Sequence, residues 1–166
     1  ELIEILIDGV TGSHRFFSKY FNTNFYNFLI ASFEILALLV LISVILFWTR
    51  RNIVKIKRFL SNEMKGWPKF DADNILYFEI VLMLLFLSMN ATDLILQERN
   101  FEGYYKAGSF PVSSFMVPLF DSFETSTVYL FERVFWWLHI IGIFFFLNYL
   151  YYSKHLHILL AFPNTY

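Results

Sequence analysis

WWLHIIGIFFFLNYLYYSKHLHIL, residues 136–159, sets three of the chain's four histidines in or beside an intensely apolar run. The run spans about 129–152. A bilayer hydrocarbon core of ~30 Å takes about 20 helical residues, so the run is long enough to cross it. Two further runs toward the N-terminus, 27–48 and 75–96, meet the same length test. Composition agrees: of 166 residues 57% are hydrophobic and only 16% charged, and the mean hydropathy is +0.52, unlike a soluble domain of this size. The expected fold class is all-α, an integral membrane helical bundle with three full transmembrane helices. Lipid offers the backbone no hydrogen-bond partners, so each helix must satisfy its own.

The flanking segments complete the plan. ELIEILIDG, 1–9, reads as the tail of a preceding helix, and DGVTGSHRF, 8–16, holds the glycines, aspartate and serine that end helices. Glu1 in place of Met and the abrupt AFPNTY at 161–166 give the expectation of a single membrane domain, 1–166, cut from a longer chain. The stretch 49–73 carries seven Lys or Arg against three acidic residues, whereas the loop 97–126 carries two against four. By the positive-inside rule the link 49–74 and the C-terminal end are cytoplasmic and the loop is outside, as in a multi-pass protein of a bacterial inner membrane. Ile53, Ile56 and Leu60 recur at helical spacing beside Lys55, Lys57 and Arg58, so the link reads either as a helix on the membrane surface or as a solvated basic end. SFMVPLF, 114–120, is apolar enough to dip back toward the membrane.

No cysteine is present, so this segment holds neither a disulfide nor a thiolate-ligated cluster, and redox chemistry here must use other ligands. With no proline between Glu132 and Phe162, the opening stretch reads as one helix. His139 and His157, 18 residues apart, then share a face about five turns and roughly 27 Å from each other, while His155 is rotated by roughly 160°. An intramembrane imidazole is costly unless paired, and neutral imidazole is a good iron ligand. One reading is a two-haem electron path with one histidine per leaflet. The other is a helix-bridging His139 with His155 and His157 as interfacial anchors. Glu34, Glu79, Glu132, Asn90, Asp93 and Asn148 also interrupt the apolar runs. For Glu132 the simpler expectation is a pair with Arg133 or Lys106. Glu34 and Glu79 read either as interhelical hydrogen-bond partners or as participants in proton uptake.

The pattern LH followed 18 residues later by H within SKHLH resembles the last membrane helix of the gamma-subunit cytochrome b of respiratory nitrate reductases. WWLH, YYSKHLHILLAFPNTY and RRNIVKIKRFLSNEMKGWPK are similar to motifs in the membrane portion of (Fe-S)-binding oxidoreductases related to heterodisulfide reductase. The resemblance implies a cytochrome b-like module in which His139 holds one haem b and His157 another. It further implies iron–sulfur clusters in an adjoining cytoplasmic domain and exchange with a quinone. The module would then pass electrons between the quinone pool and those clusters, the substrate chemistry lying elsewhere. No histidine stands in the first two spans, so partner ligands must come from another source. His14, just after the N-terminal helix tail, is a candidate partner of His139, although a loop histidine before Arg15 is more often polar surface. Met83 and Met89 are candidate axial ligands that more often pack. The rival expectation is a haem-free membrane anchor within a larger complex. A transporter half using Glu34 and Glu79 has little support without a repeat, and nothing points to nucleic acid.

Overall fold

The computed structural model describes residues 2–56 and 66–153. In order these form α1 (Leu2–Thr11), a 3-10 turn (Phe16–Lys19), α2 (Thr23–Asn52), α3 (Trp67–Glu98), a second 3-10 turn (Ser113–Met116) running into the short α4 (Val117–Phe120), and α5 (Thr125–Tyr152). Among the described residues all regular structure is helical, and α2, α3 and α5 are each long and apolar enough to cross a membrane. They overrun the expected apolar runs, α3 by beginning at Trp67 instead of 75. Hydropathy marks what lipid covers, whereas a helix continues through polar residues until a cap stops it. At α3 the start is set by Gly66 at φ 77° with Pro68 in the first turn. At α2 it is the Asn22 side chain, which accepts from Asn24 N at 3.0 Å.

The central helix is α3, packed against α5 along one side and α2 on another. Ile5, Ala37, Phe86, Leu87, Met89, Trp136 and Ile140 form the main core, drawn from α1, α2, α3 and α5. Two close approaches build it. A Cβ at Gly142 would lie 2.7 Å from Leu82 Cδ2, and a Cβ at Gly9 would lie 2.5 Å from Trp136 Cη2, so glycine lets α1 press on the indole. The opposite faces expose Leu36, Leu39, Leu46, Phe47, Leu130, Trp137, Ile141 and Phe145. Apolar belts of that extent fit a lipid environment. Arg51 ties the end of α2 to the start of α3 through Asp73 (3.0 Å) and the Lys69 carbonyl (3.0 Å). Arg99 ties the end of α3 to the start of α5 through Asp121 (3.0 Å), the Phe123 carbonyl (2.9 Å) and Thr125 (3.1 Å).

Two expectations are corrected. The opening stretch is not one helix to Phe162: α5 ends at Tyr152 and Ser153 is extended. The reason is tertiary, since the Asp71 carboxylate accepts from Ser153 Oγ (2.9 Å) and Tyr149 OH (2.7 Å) and holds the chain there. The helical register that put His139 and His157 on one face therefore does not carry past residue 152. His155 and His157 themselves lie outside the described residues. The link also does not continue α2 as a helix, because Ile53 N and Val54 N both donate to the Thr49 carbonyl and Lys55 adopts φ 50°. The rest of that expectation, including Leu60, falls outside the described residues. Just before the apolar stretch 114–120, Ser113 is fully buried, its backbone N donating to Glu34 of α2, whereas Phe115 and Leu119 within the stretch are exposed.

Candidate functional site

The loop end of the bundle carries a buried polar lattice. Its first part is local: the Asp8 carboxylate at the end of α1 accepts from Ser13 Oγ (3.0 Å), Arg15 N (3.0 Å) and Phe16 N (2.9 Å), which fixes the turn with Arg15 at φ 51°. That turn aims Arg15 inward. Its guanidinium donates to Asp93 Oδ2 (2.7 and 3.0 Å) and Asn90 Oδ1 (3.0 Å), and it lies 5.1 Å from the Phe110 ring. Both partners are nearly sealed, with side-chain exposures of 8% and 5%. The sequence reading of this segment as polar surface is thus reversed, because Asp93 and Asn90, one helical turn apart on α3, need a buried donor.

His14 sits in the same lattice. Tyr105 N donates to its Nδ1 (3.3 Å), so its Nε2 carries the hydrogen and donates to Asp93 Oδ1 (2.8 Å). Asn90 Nδ2 donates onward to Glu34 Oε1 (3.1 Å). Glu34 also accepts from Val112 N (2.9 Å), Ser113 N (3.1 Å) and Ser113 Oγ, so the returning loop is clamped on an α2 carboxylate. Glu132 pairs with Arg133, as the simpler expectation had it, and accepts from Tyr104 OH at 2.8 Å. Burial, then the neighbouring Glu132 carboxylate, pushes the Tyr104 hydroxyl well above its ordinary value, so it stays a donor. A small cavity of about 30 Å³, lined by His14, Arg15, Asp93, Glu132 and Trp136, has room for about one water.

His139 lies deeper and is held differently. Its Nδ1 donates to the Leu82 carbonyl (3.1 Å), which leaves Nε2 as an acceptor without a partner among the described residues. The ring packs on Phe86, centroids 5.7 Å apart. It borders a cavity of about 310 Å³ whose other walls include Ile5, Phe33, Val40, Met83 and Phe86. The cavity is almost wholly apolar, and His139 is the polar side chain in its lining. The structure thus places His14 and His139 on different cavities, Ile5 bordering both. Of the two methionines, Met83 shares the His139 cavity and Met89 borders the upper one.

Among the described residues no three His, Asp or Glu side chains converge as a metal-binding group. Sequence reasoning missed Arg15, Ser113, Tyr104 and Gln97, whose Nε2 donates to Asp93 Oδ1 (3.2 Å). For Arg15 the findable signal was the Asn90 and Asp93 spacing, and for the others there was none. Compared with known proteins, the chain matches no family model, no curated protein and no solved structure.

Proposed function

We propose that the chain is a membrane electron-transfer module that binds a b-type haem through His139 Nε2. One observation carries the reading: a buried imidazole whose Nδ1 is committed to the Leu82 carbonyl, with Nε2 left without a partner among the described residues, lines an apolar cavity between helices. A hydrogen bond from the distal nitrogen to a carbonyl is the arrangement that orients a ligating histidine and strengthens it as a donor. Phe33, Phe86, Met83 and Val40 supply apolar walls that exclude water from a flat macrocycle. The haem would supply one-electron chemistry, and the protein its position and a dry surrounding.

In this reading electrons pass between quinone and iron–sulfur clusters of a cytoplasmic partner, as the family resemblance suggests. His157 remains the ligand that the resemblance assigns to a second haem. His14, with both nitrogens engaged by Asp93 and Tyr105, serves the lattice instead. A haem-free membrane anchor is the second reading, favoured by the lack of another histidine on the His139 cavity among the described residues. A reduced-minus-oxidised absorbance spectrum of the purified, haem-replete protein separates the two. The module reading expects a b-type band that His139→Ala removes, and the anchor reading expects none.

A further inference from the structure

The carboxylates that interrupt the apolar runs are not treated alike. Glu34, Asp93 and Glu132, all toward the loop end, each accept from two or more donors. Glu79, on α3 toward the link end, has neither a hydrogen bond nor an ion pair among the described residues, yet it is half-buried. Its direction follows from helical geometry. Glu79 lies within about 20° of Phe86 and about 40° of Met83 on the α3 wheel. Those two residues wall the His139 cavity, so Glu79 occupies the same face one turn below. Its level on α5 is set by Phe78, whose ring packs tilted against Phe145 and Phe146, centroids 5.4 and 6.0 Å apart. That level is roughly 9 Å along the axis from His139.

We propose that Glu79 is a proton-exchange site for the His139 cavity, taking up one proton from the link side as an electron arrives there and releasing it as the electron leaves. This rests on the electron-transfer reading above. The balance is simple. A reduced iron–sulfur partner would give one electron to the haem and itself be oxidised, one proton comes from link-side solvent, and the Glu79 carboxylate becomes a carboxylic acid. No other bond forms or breaks. Reduction removes one positive charge from the cavity, and a carboxylate roughly 9 Å away in a poorly polarisable interior feels that loss by more than thermal energy.

Other titratable groups are few. Between Glu34 and Arg50, α2 has none; between His139 and Tyr149, α5 has none; on α3 the nearest are Tyr77, bonded to Trp48, and Asp73, paired with Arg51. The loop-end carboxylates are each held by donors, whereas Glu79 lies toward the link, so the link side is taken as the entry.

Two measurements test the proposal on the intact protein in detergent or membranes. A hydrophobic carbodiimide adds to a carboxylic acid reachable from an apolar phase, and peptide mapping by mass should place the adduct on Glu79, with Glu79→Gln abolishing it. In redox titrations across neutral pH, the midpoint should fall as pH rises, by up to ~59 mV per tenfold change in proton concentration. Glu79→Gln should flatten that dependence while retaining the haem band, and Glu79→Asp should restore it. An unlabelled Glu79, or a pH dependence unchanged in Glu79→Gln, overturns the proposal. Absence of any haem band overturns the electron-transfer reading and the coupling with it, whereas labelling reports separately on whether Glu79 carries an exchangeable proton.

Discussion

Arg15 and Asp93 show what a single residue can cost and return in this bundle. Removing two charges from water costs several kcal/mol for each ion, and only close geometry with further hydrogen bonds repays it. Here Arg15 donates to Asp93 and Asn90, while Asp93 also accepts from His14 (2.8 Å) and Gln97 (3.2 Å). Replacing Arg15 by Met leaves Asp93 buried without its cation, which should cost about 3–5 kcal/mol and lower the thermal midpoint in detergent. The double change Arg15→Met with Asp93→Leu should recover part of that loss. A double variant as unstable as the sum of its parts would contradict the pairing. Sequence alone identified Asp93 and Glu34 as buried polar groups, because they break apolar runs. It misplaced Arg15, because Gly12 and Ser13 beside it look like an exposed turn, and the buried partner lies 78 residues away.

Among elements, α1 and the end of α5 depend on single contacts. Gly9→Ala would drive a Cβ against the rigid Trp136 indole, an overpacking of about 1–3 kcal/mol. Because Ile5 of α1 walls the His139 cavity, the variant should lower the thermal midpoint and shift Trp emission; unchanged values for both would show that α1 does not bear on α5. Asp71→Ala should release Ser153 and Tyr149, and hydrogen exchange should then rise in the last turn of α5. No change there would mean that the helix stops for a local reason. This end was illegible in the sequence, since no proline or glycine marks residue 153 and the stop is set by a carboxylate on another helix. The existence of the three spans was legible because length and hydropathy suffice for it. The turn at Ser113 was legible only as an apolar loop, and the Glu34 clamp that draws it in was not.

At the scale of the whole molecule, three helices meet with a polar lattice at one end and a basic link at the other. By the positive-inside rule the link is expected on the cytoplasmic side. The chain lacks cysteine, so single introduced thiols report orientation cleanly. Lys55→Cys should react with an impermeant reagent only when the cytoplasmic face is open, and Tyr105→Cys only from the opposite face; the reverse pattern would invert the topology. Between the two ends lies the His139 cavity, on which the account turns. The most direct measurement is the reduced-minus-oxidised spectrum of the haem-replete protein beside its His139→Ala variant, with Asn148→Ala, whose amide bonds only its own helix among the described residues, as a control for folding. The account predicts a b-type band in the parent and the control and its loss or marked reduction in His139→Ala. An undiminished band in His139→Ala, or no band in any of the three, would contradict it.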